Sequence, residues 1–172
     1  MASEDVAAGR KGKREGSPGF TREVFLSFRG PDTRKGFTDH LYSRLVDAGI
    51  QVFRDDEDLP AGEKIKPELK IAIKQSRISI AILSKHYASS EHCLMELEQM
   101  WECKQSDGQI LLPIFYDVSP SDLKDPLGDF GRSLKKHEED NKVDANIIKT
   151  WRSVLAEIKK LRGDELKNVK NG

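Results

Sequence analysis

The chain has 172 residues, of which 37% are hydrophobic, and 29 basic side chains balance 29 acidic ones. This length predicts one domain with its own core, and the zero net charge excludes a generally basic nucleic-acid-binding protein. No apolar run approaches the ~20 residues of a membrane span, and the amino terminus lacks the apolar stretch of a secretory signal. Two cysteines, Cys93 and Cys103, are too few for a disulfide framework or a zinc site, so we expect a reduced cytosolic or nuclear setting.

Residues 1–21 are predicted to form a disordered tail. Ten of the first 20 residues are Gly, Ala, Ser or Pro, and such a segment cannot bury enough apolar surface to offset the entropy of ordering. The basic cluster at 10–14 is interpreted as part of a solvated tail, with a weak anion-binding or import signal as the alternative. The sequence therefore predicts a single folded domain over residues 22–172.

Strand and helix patterns alternate after this tail. β-branched and aromatic runs predict strands at 23–28, 50–54, 78–83 and 110–116. Apolar residues at helical spacing predict helices at 32–48, 65–73, 91–104 and 130–137, and an amphipathic helix at 147–161 that Asp144 caps and Gly163 ends. Such alternation is typical of a parallel sheet covered on both faces, so we expect a flavodoxin-like, doubly wound α/β domain with ligands beyond the carboxyl ends of its strands.

The chain lacks the sequence motifs of several sites that are common in α/β proteins. The first strand is not followed by G-x-G-x-x-G, and the chain contains neither a P-loop nor the nucleophile elbow G-x-S-x-G. Its four histidines have no metal-ligand spacing. These absences exclude the usual dinucleotide-binding, P-loop and hydrolase sites.

The loop after the first strand, Arg29-Gly30-Pro31-Asp32-Thr33-Arg34, carries two guanidinium groups around a glycine and a helix start. Backbone donors and arginine forks both suit a phosphate. A capped helix with surface salt bridges explains the same residues, and from this stretch alone that reading is favoured.

A second loop, after the second strand, places four carboxylates at 55–58. It lacks the alternating ligand spacing of a calcium loop. We therefore interpret it as a solvated loop in which Gly62 acts as a pivot.

The helix at 91–104 contains a carboxylate on its apolar side. Advancing about 100° per residue collects Leu94, Leu97, Met100, Trp101 and Cys103 into one arc. Glu98 and Glu102 are predicted to point to water, whereas Glu96 falls inside the apolar arc. A buried carboxylate is costly unless it is paired, which makes Glu96 a candidate site residue. A salt-bridged glutamate at the edge of the helix remains an equal alternative.

Taken together, these motifs resemble the plant Toll/interleukin-1 receptor (TIR) domain, as found at the start of nucleotide-binding, leucine-rich-repeat immune receptors. The resemblance begins at Arg22 and continues to the end of the chain. It rests on V-F-L-S-F-R-G-P-D-T-R at 24–34, F-R-D-D-E-D-L-P-A-G at 53–62, C-L-M-E-L at 93–97, L-P-I-F-Y-D-V-S-P-S-D at 112–122 and the helix that contains Trp151.

The resemblance implies a five-stranded fold and an NAD⁺ nucleosidase activity, with NAD⁺ as substrate and no cofactor or metal. Glu96 matches the family's catalytic glutamate, and Cys93 matches a cysteine linked to the synthesis of 2′,3′-cyclic nucleotides from nucleic acid. The implied NAD⁺-binding residues are Arg29, Gly30, Pro31, Asp32, Thr33, Arg34, Gly62 and Ser90. The implied self-association residues are Asp39, His40 and Gly163.

The chain departs from the family pattern at three positions. His92 replaces the usual Trp before the cysteine, Asp39 replaces a small Ser in the self-association pair, and Asp164 replaces a frequent Trp after Gly163. The chain also ends about where the family's last helix begins, so we expect the final edge of the sheet to be poorly covered.

The resulting hypothesis is a cytoplasmic NAD⁺ nucleosidase, with a nuclear location as the alternative. Self-association would activate it and its products would trigger plant defence and cell death. One alternative is a non-catalytic adaptor that signals through homotypic TIR contacts. Another is a 2′,3′-cyclic nucleotide synthetase, for which the neutral net charge predicts weak, salt-sensitive nucleic-acid binding.

Overall fold

The computed structural model describes residues 22–54, 64–161 and 163–166. The predicted tail, the acidic loop and Gly62 lie outside the described residues. Five strands form one sheet: β1 (Arg22–Phe28), β2 (Val52–Arg54), β3 (Ser76–Leu83), β4 (Ile110–Tyr116) and β5 (Asp164–Leu166). All neighbouring strands are parallel, and their order is β2-β1-β3-β4-β5. This is the flavodoxin-like order and confirms the expected fold class.

Helices cover both faces of this sheet. They are α1 (Gly30–Thr33), α2 (Asp39–Asp47), α3 (Pro67–Gln75), α4 (Glu91–Asp107), α5 (Asp129–Asp140) and α6 (Ala145–Ile158), with 3₁₀ turns at Tyr87–Ser89 and Pro120–Leu123. Within the described ranges, no helix is long and apolar enough to cross a membrane.

Two alternating sets of β1 side chains separate the core into two layers. Val24, Leu26 and Phe28 pack with β3 residues against the α2 side. Phe25 lies in the larger layer beneath α3, α4 and α6. Because successive strand residues point to opposite faces, Ser27 shares the face of Phe25 and is directed toward α4.

The single helix predicted over 32–48 is interrupted. The chain passes from α1 through a π-helical segment, Arg34–Thr38, and the backbone at Gly36 is not helical (φ −129°, ψ −106°). The hydroxyl oxygens of Thr33 and Thr38 lie 2.7 Å apart across this kink, and both residues are buried. Kinks of this kind occur at glycines and π-bulges, which a count of apolar spacing does not register.

The strand pattern missed β5. Two of its three residues are charged, so it carries no apolar alternation, and it is defined by parallel pairing with β4. The helix before it also ends earlier than predicted, at Ile158 rather than 161. The helix predicted at 130–137 is longer, spanning Asp129–Asp140.

Gly163 provides a close approach between the chain and β4. A Cβ atom on Gly163 would touch the Pro113 carbonyl oxygen, with the Pro113 ring at 2.8 Å and the Phe115 ring at 3.1 Å. A backbone oxygen cannot move aside as a flexible side chain would. The residue therefore has a packing reason to be glycine.

We predict that Gly163→Ala lowers the free energy of unfolding by about 1–3 kcal/mol, because the added methyl group forces β5 away from β4. Urea denaturation followed by circular dichroism measures this loss. Lys159→Ala, an exposed change just after α6, is the control and should stay within about 0.5 kcal/mol. An unchanged midpoint for Gly163→Ala would contradict the packing described above.

Candidate functional site

The candidate site lies where the strand order reverses, between β1 and β3. In doubly wound sheets this point, beyond the carboxyl ends of the strands, is where ligands bind. Three segments meet at this edge: the residues after Phe28, the residues after Leu83, and the start of α4 at Glu91. The predicted anion loop and the predicted catalytic glutamate therefore come from neighbouring elements.

Glu96 is buried between α4 and β1, with 4% of its surface exposed. Ser27 Oγ donates a hydrogen bond to its Oε1 atom at 2.6 Å. One helical turn earlier, His92 Nε2 lies 3.0 Å from its Oε2 atom. A carboxylate in this position needs such partners, because a buried charge without them is strongly destabilising.

Tyr87 extends this buried cluster. Its hydroxyl lies 2.6 Å from Ser27 Oγ and donates to the Cys93 carbonyl oxygen at 3.1 Å. Burial, together with the nearby Cys93 and Glu96, raises the pKa of Tyr87 well above 10. Tyr87 therefore remains a neutral hydrogen-bond donor beside the carboxylate.

Ser90 and Cys93 attach the start of α4 to the sheet edge. The Ser90 side chain accepts from the Cys93 backbone N–H at 3.1 Å and so caps the helix. Cys93 is buried, and its thiol donates to the Phe28 carbonyl oxygen with a separation of 3.4 Å. These contacts hold α4 against the end of β1. The sequence-based roles of both residues stay predictions.

Asp32 joins the loop after β1 to the end of β3. Its Oδ2 atom accepts from Ser84 Oγ at 2.6 Å and from the His86 backbone N–H at 2.9 Å, while Oδ1 lies 2.9 Å from His86 Nδ1. Burial by itself would raise the pKa of Asp32, but the hydrogen bonds from Ser84 and His86 outweigh it, and the pKa lies below its usual 3.8. The carboxylate is therefore ionised and holds two strand ends together.

The two arginines of the same loop are both half-buried. The Arg34 guanidinium lies 5.4 Å from the centre of the Phe28 ring and packs closely against Gly30, where a Cβ atom would come within 2.9 Å of it. Arg29 is half-buried, and within the described residues its Nε atom has no hydrogen-bond partner. Pro31 is exposed at the start of α1. Arg34 is thus held by packing, and the anion-binding role of Arg29 stays a prediction.

The structure does not bring the three predicted self-association residues to this site. Asp39, at the start of α2, forms an ion pair with Arg54 Nη1 at 2.8 Å, and that guanidinium lies 4.3 Å from the Tyr42 ring. His40 is exposed on α2. Gly163 packs on β4, as described above. Their roles in self-association stay predictions.

Glu98 was expected to point to water, and this expectation is wrong. Its side chain is half-buried and accepts a hydrogen bond from Trp151 Nε1 at 3.0 Å. Burial raises the pKa of Glu98 above its usual 4.5. The helical wheel of α4 could not register this contact, because it comes from α6.

Sequence reasoning also missed Ser27, Tyr87, Ser84 and His86 as members of the site. Ser27 alone left a signal, since it is a polar residue inside an otherwise apolar and aromatic run, V-F-L-S-F. The other three lie in ordinary loop composition, and only their contacts identify them.

The chain resembles known proteins in both sequence and structure. The family model for the TIR domain matches residues 23–172. The chain belongs to the TIR domain family. Similar plant proteins include TMV resistance protein N of Nicotiana glutinosa, 45% identical over 141 residues, and disease resistance protein RPV1 of Vitis rotundifolia, 48% identical over 143 residues. These matches cover 82% and 83% of this chain but only 12% and 10% of those proteins.

A solved structure agrees with this assignment. The TIR domains of the activated Roq1 resistosome match with a TM-score of 0.76 and 39% sequence identity, covering 88% of this chain and 92% of theirs. The TIR resemblance that the motifs indicated is therefore confirmed, together with the fold.

We predict that Asp32→Asn lowers the free energy of unfolding at pH 7 by about 1–3 kcal/mol, since Ser84 and His86 lose their anionic partner. Because the native pKa of Asp32 is lowered, its contribution is complete at neutral pH and declines as the pH falls below about 5. Denaturant titrations at pH 7 and at about pH 3.5 should show a smaller difference at the lower pH. Glu102→Gln, an exposed change on α4, serves as the control, and a difference independent of pH would contradict the role given to the Asp32 carboxylate.

Proposed function

We propose that this TIR domain is an NAD⁺ nucleosidase of plant innate immunity that self-association activates. The observation that carries the proposal is the Glu96 carboxylate, held by Ser27 and His92 beside the switch point of the sheet. Burying a carboxylate costs free energy even when it has partners, and buried titratable groups of this kind are concentrated at functional sites. The similar plant proteins named above as resistance proteins support the immune setting.

The chemistry needs only one carboxylate. The nicotinamide of NAD⁺ is already cationic, so it leaves as a neutral group and no general acid is required, unlike in glycosidases that use two carboxylates. As the bond from the ribose C1′ to the nicotinamide nitrogen breaks, positive charge develops on the ribose. A fixed anion such as Glu96 stabilises that charge and orients the ribose hydroxyl groups.

The loop after β1 would hold the diphosphate of the substrate. Arg29 has a buried Nε donor without a partner among the described residues, and Asp32 fixes the loop against Ser84 and His86. Arginine donors and backbone N–H groups both suit phosphate oxygens. Water then completes hydrolysis to ADP-ribose, or an adenine nitrogen of the same molecule attacks to give a cyclic product.

Assembly through TIR–TIR contacts is the proposed trigger. The structural relative is the TIR portion of an activated resistosome. When several domains are held together, each weak contact forms at a high effective concentration, so weak interfaces suffice for assembly. His40 on α2 offers an exposed contact, whereas the Asp39 carboxylate is already paired with Arg54. We place this activity in the cytoplasm, in keeping with Cys93 and Cys103, which are both buried thiols that form no disulfide with each other.

We predict that Glu96→Gln lowers NAD⁺ consumption at least about 100-fold while the domain stays folded, because the amide keeps the shape of the side chain but removes its charge. Nicotinamide release at high protein concentration, with a crowding agent, measures the effect. Glu98→Gln is the matched control on the same helix and should retain the wild-type rate. A Glu96→Gln variant with the wild-type rate would rule out the catalytic role, and no release by folded, self-associated wild-type protein would favour the adaptor.

We predict that the specific activity rises with protein concentration and that His40→Ala weakens self-association about tenfold, because it truncates an exposed contact residue. Sedimentation or light scattering measures the association, and thermal unfolding should be unchanged. Lys136→Ala, exposed on α5, is the control. If the His40 variant associates as the wild type does, this part of α2 does not form the interface.

A further inference from the structure

The geometry points to His92 as the residue that controls access to Glu96. We propose that its imidazole covers the carboxylate in the free protein, and that a substrate ribose must displace it to reach Oε2. The identity of that substrate rests on the proposed function, whereas the covering of Glu96 by His92 does not.

Both side chains are withdrawn from solvent. His92 is 7% exposed and Glu96 is 4% exposed, and their nearest polar atoms lie 3.0 Å apart. The other carboxylate oxygen faces the sheet, where Ser27 donates to it at 2.6 Å. A ligand cannot approach through β1, so the His92 side of the carboxylate is where access has to open.

The direction of α4 places His92 between Glu96 and the ligand-binding edge. The helix follows β3 and precedes the parallel strand β4, so it starts at the carboxyl edge of the sheet and runs back toward the amino edge. His92 is thus about 6 Å closer to that edge than Glu96. Helical side chains also lean toward the amino terminus of the helix. The Glu96 carboxylate therefore points toward the ligand-binding edge of the sheet, and the His92 imidazole lies between it and that edge.

The start of α4 is held independently of this pair. Ser90 caps the helix, and the Cys93 thiol contacts the Phe28 carbonyl oxygen. The Tyr87 hydroxyl also donates to the Cys93 carbonyl oxygen. Rotation of the His92 side chain therefore does not require the helix to unwind.

Displacement of His92 has a measurable consequence. A reacting ribose carbon must approach the carboxylate to about 3–3.5 Å, and the imidazole nitrogen already occupies that distance from Oε2. If only a fraction of the molecules have the imidazole rotated away, the apparent affinity for substrate equals the intrinsic affinity multiplied by that fraction. A smaller residue at position 92 removes this penalty.

The first test measures access to Glu96 without any enzymatic assay. A water-soluble carbodiimide with an amine nucleophile labels accessible carboxylates, and peptide mass spectrometry quantifies each site. We expect His92→Ala to raise the labelling rate of Glu96 about tenfold. Glu98, half-buried on the same helix, is the internal reference and should not change.

Two further variants make this test specific. His92→Gln keeps a side chain long enough to lie against Oε2, so it should keep the labelling slow. His92→Asn has a shorter side chain that does not reach Oε2, and it provides the same test as alanine if the alanine variant is unstable. Unchanged labelling of Glu96 in His92→Ala and His92→Asn would overturn the proposal, as would an equal rise at Glu98, which would indicate general loosening of α4.

The second test uses NAD⁺ hydrolysis. We expect His92→Ala to lower KM about 3–10-fold with a smaller change in kcat, because the substrate no longer displaces a side chain. A loss of kcat with KM unchanged would overturn the covering role in favour of a purely structural one. If the wild-type domain releases no nicotinamide, the proposed function fails, and the labelling result still decides whether His92 covers Glu96.

Discussion

The hydrogen bond from Ser27 to Glu96 is the constraint around which the rest of this edge is arranged. A carboxylate buried between a strand and a helix is tolerated only when fixed donors face it. Ser27 supplies one from β1, and His92 supplies a second contact from α4. The spacing between β1 and α4 is therefore set at the point where the sheet order reverses, and an apolar contact alone would not fix it so narrowly.

Asp32 is a second carboxylate that fixes neighbouring elements through hydrogen bonds. It connects the loop after β1 with Ser84 and His86, which follow β3. Two carboxylates therefore lie near the switch point between β1 and β3: Asp32 joins the two strand ends, and Glu96 faces β1 from α4. Rigid elements that present a few charged groups at a switch point are what a preorganised site for a charged ligand requires.

Two of the residues expected at self-association surfaces, Asp39 and Gly163, also make contacts that stabilise the fold. Asp39 carries a charge where the resemblance implies a small polar residue, and Arg54 pairs with it. Gly163 leaves the space in which the chain passes Pro113. Substitutions at Asp39 and Gly163 would therefore change stability whatever their effect on the proposed association, whereas His40 is exposed and can be replaced without loss of a packing contact.

The sequence by itself determined the parallel α/β class, the order and approximate position of most elements, and the placing of Glu96 on an apolar helix face, because strand and helix periodicity are local properties. Only the tertiary structure decided the partners of these residues. Ser27 and Glu96 are 69 positions apart, and Asp32 and His86 are 54 apart. β5 and the contact between Glu98 and Trp151 were missed for the same reason. Each is defined by a distant element that the crossovers bring into place, and no local pattern contains that information.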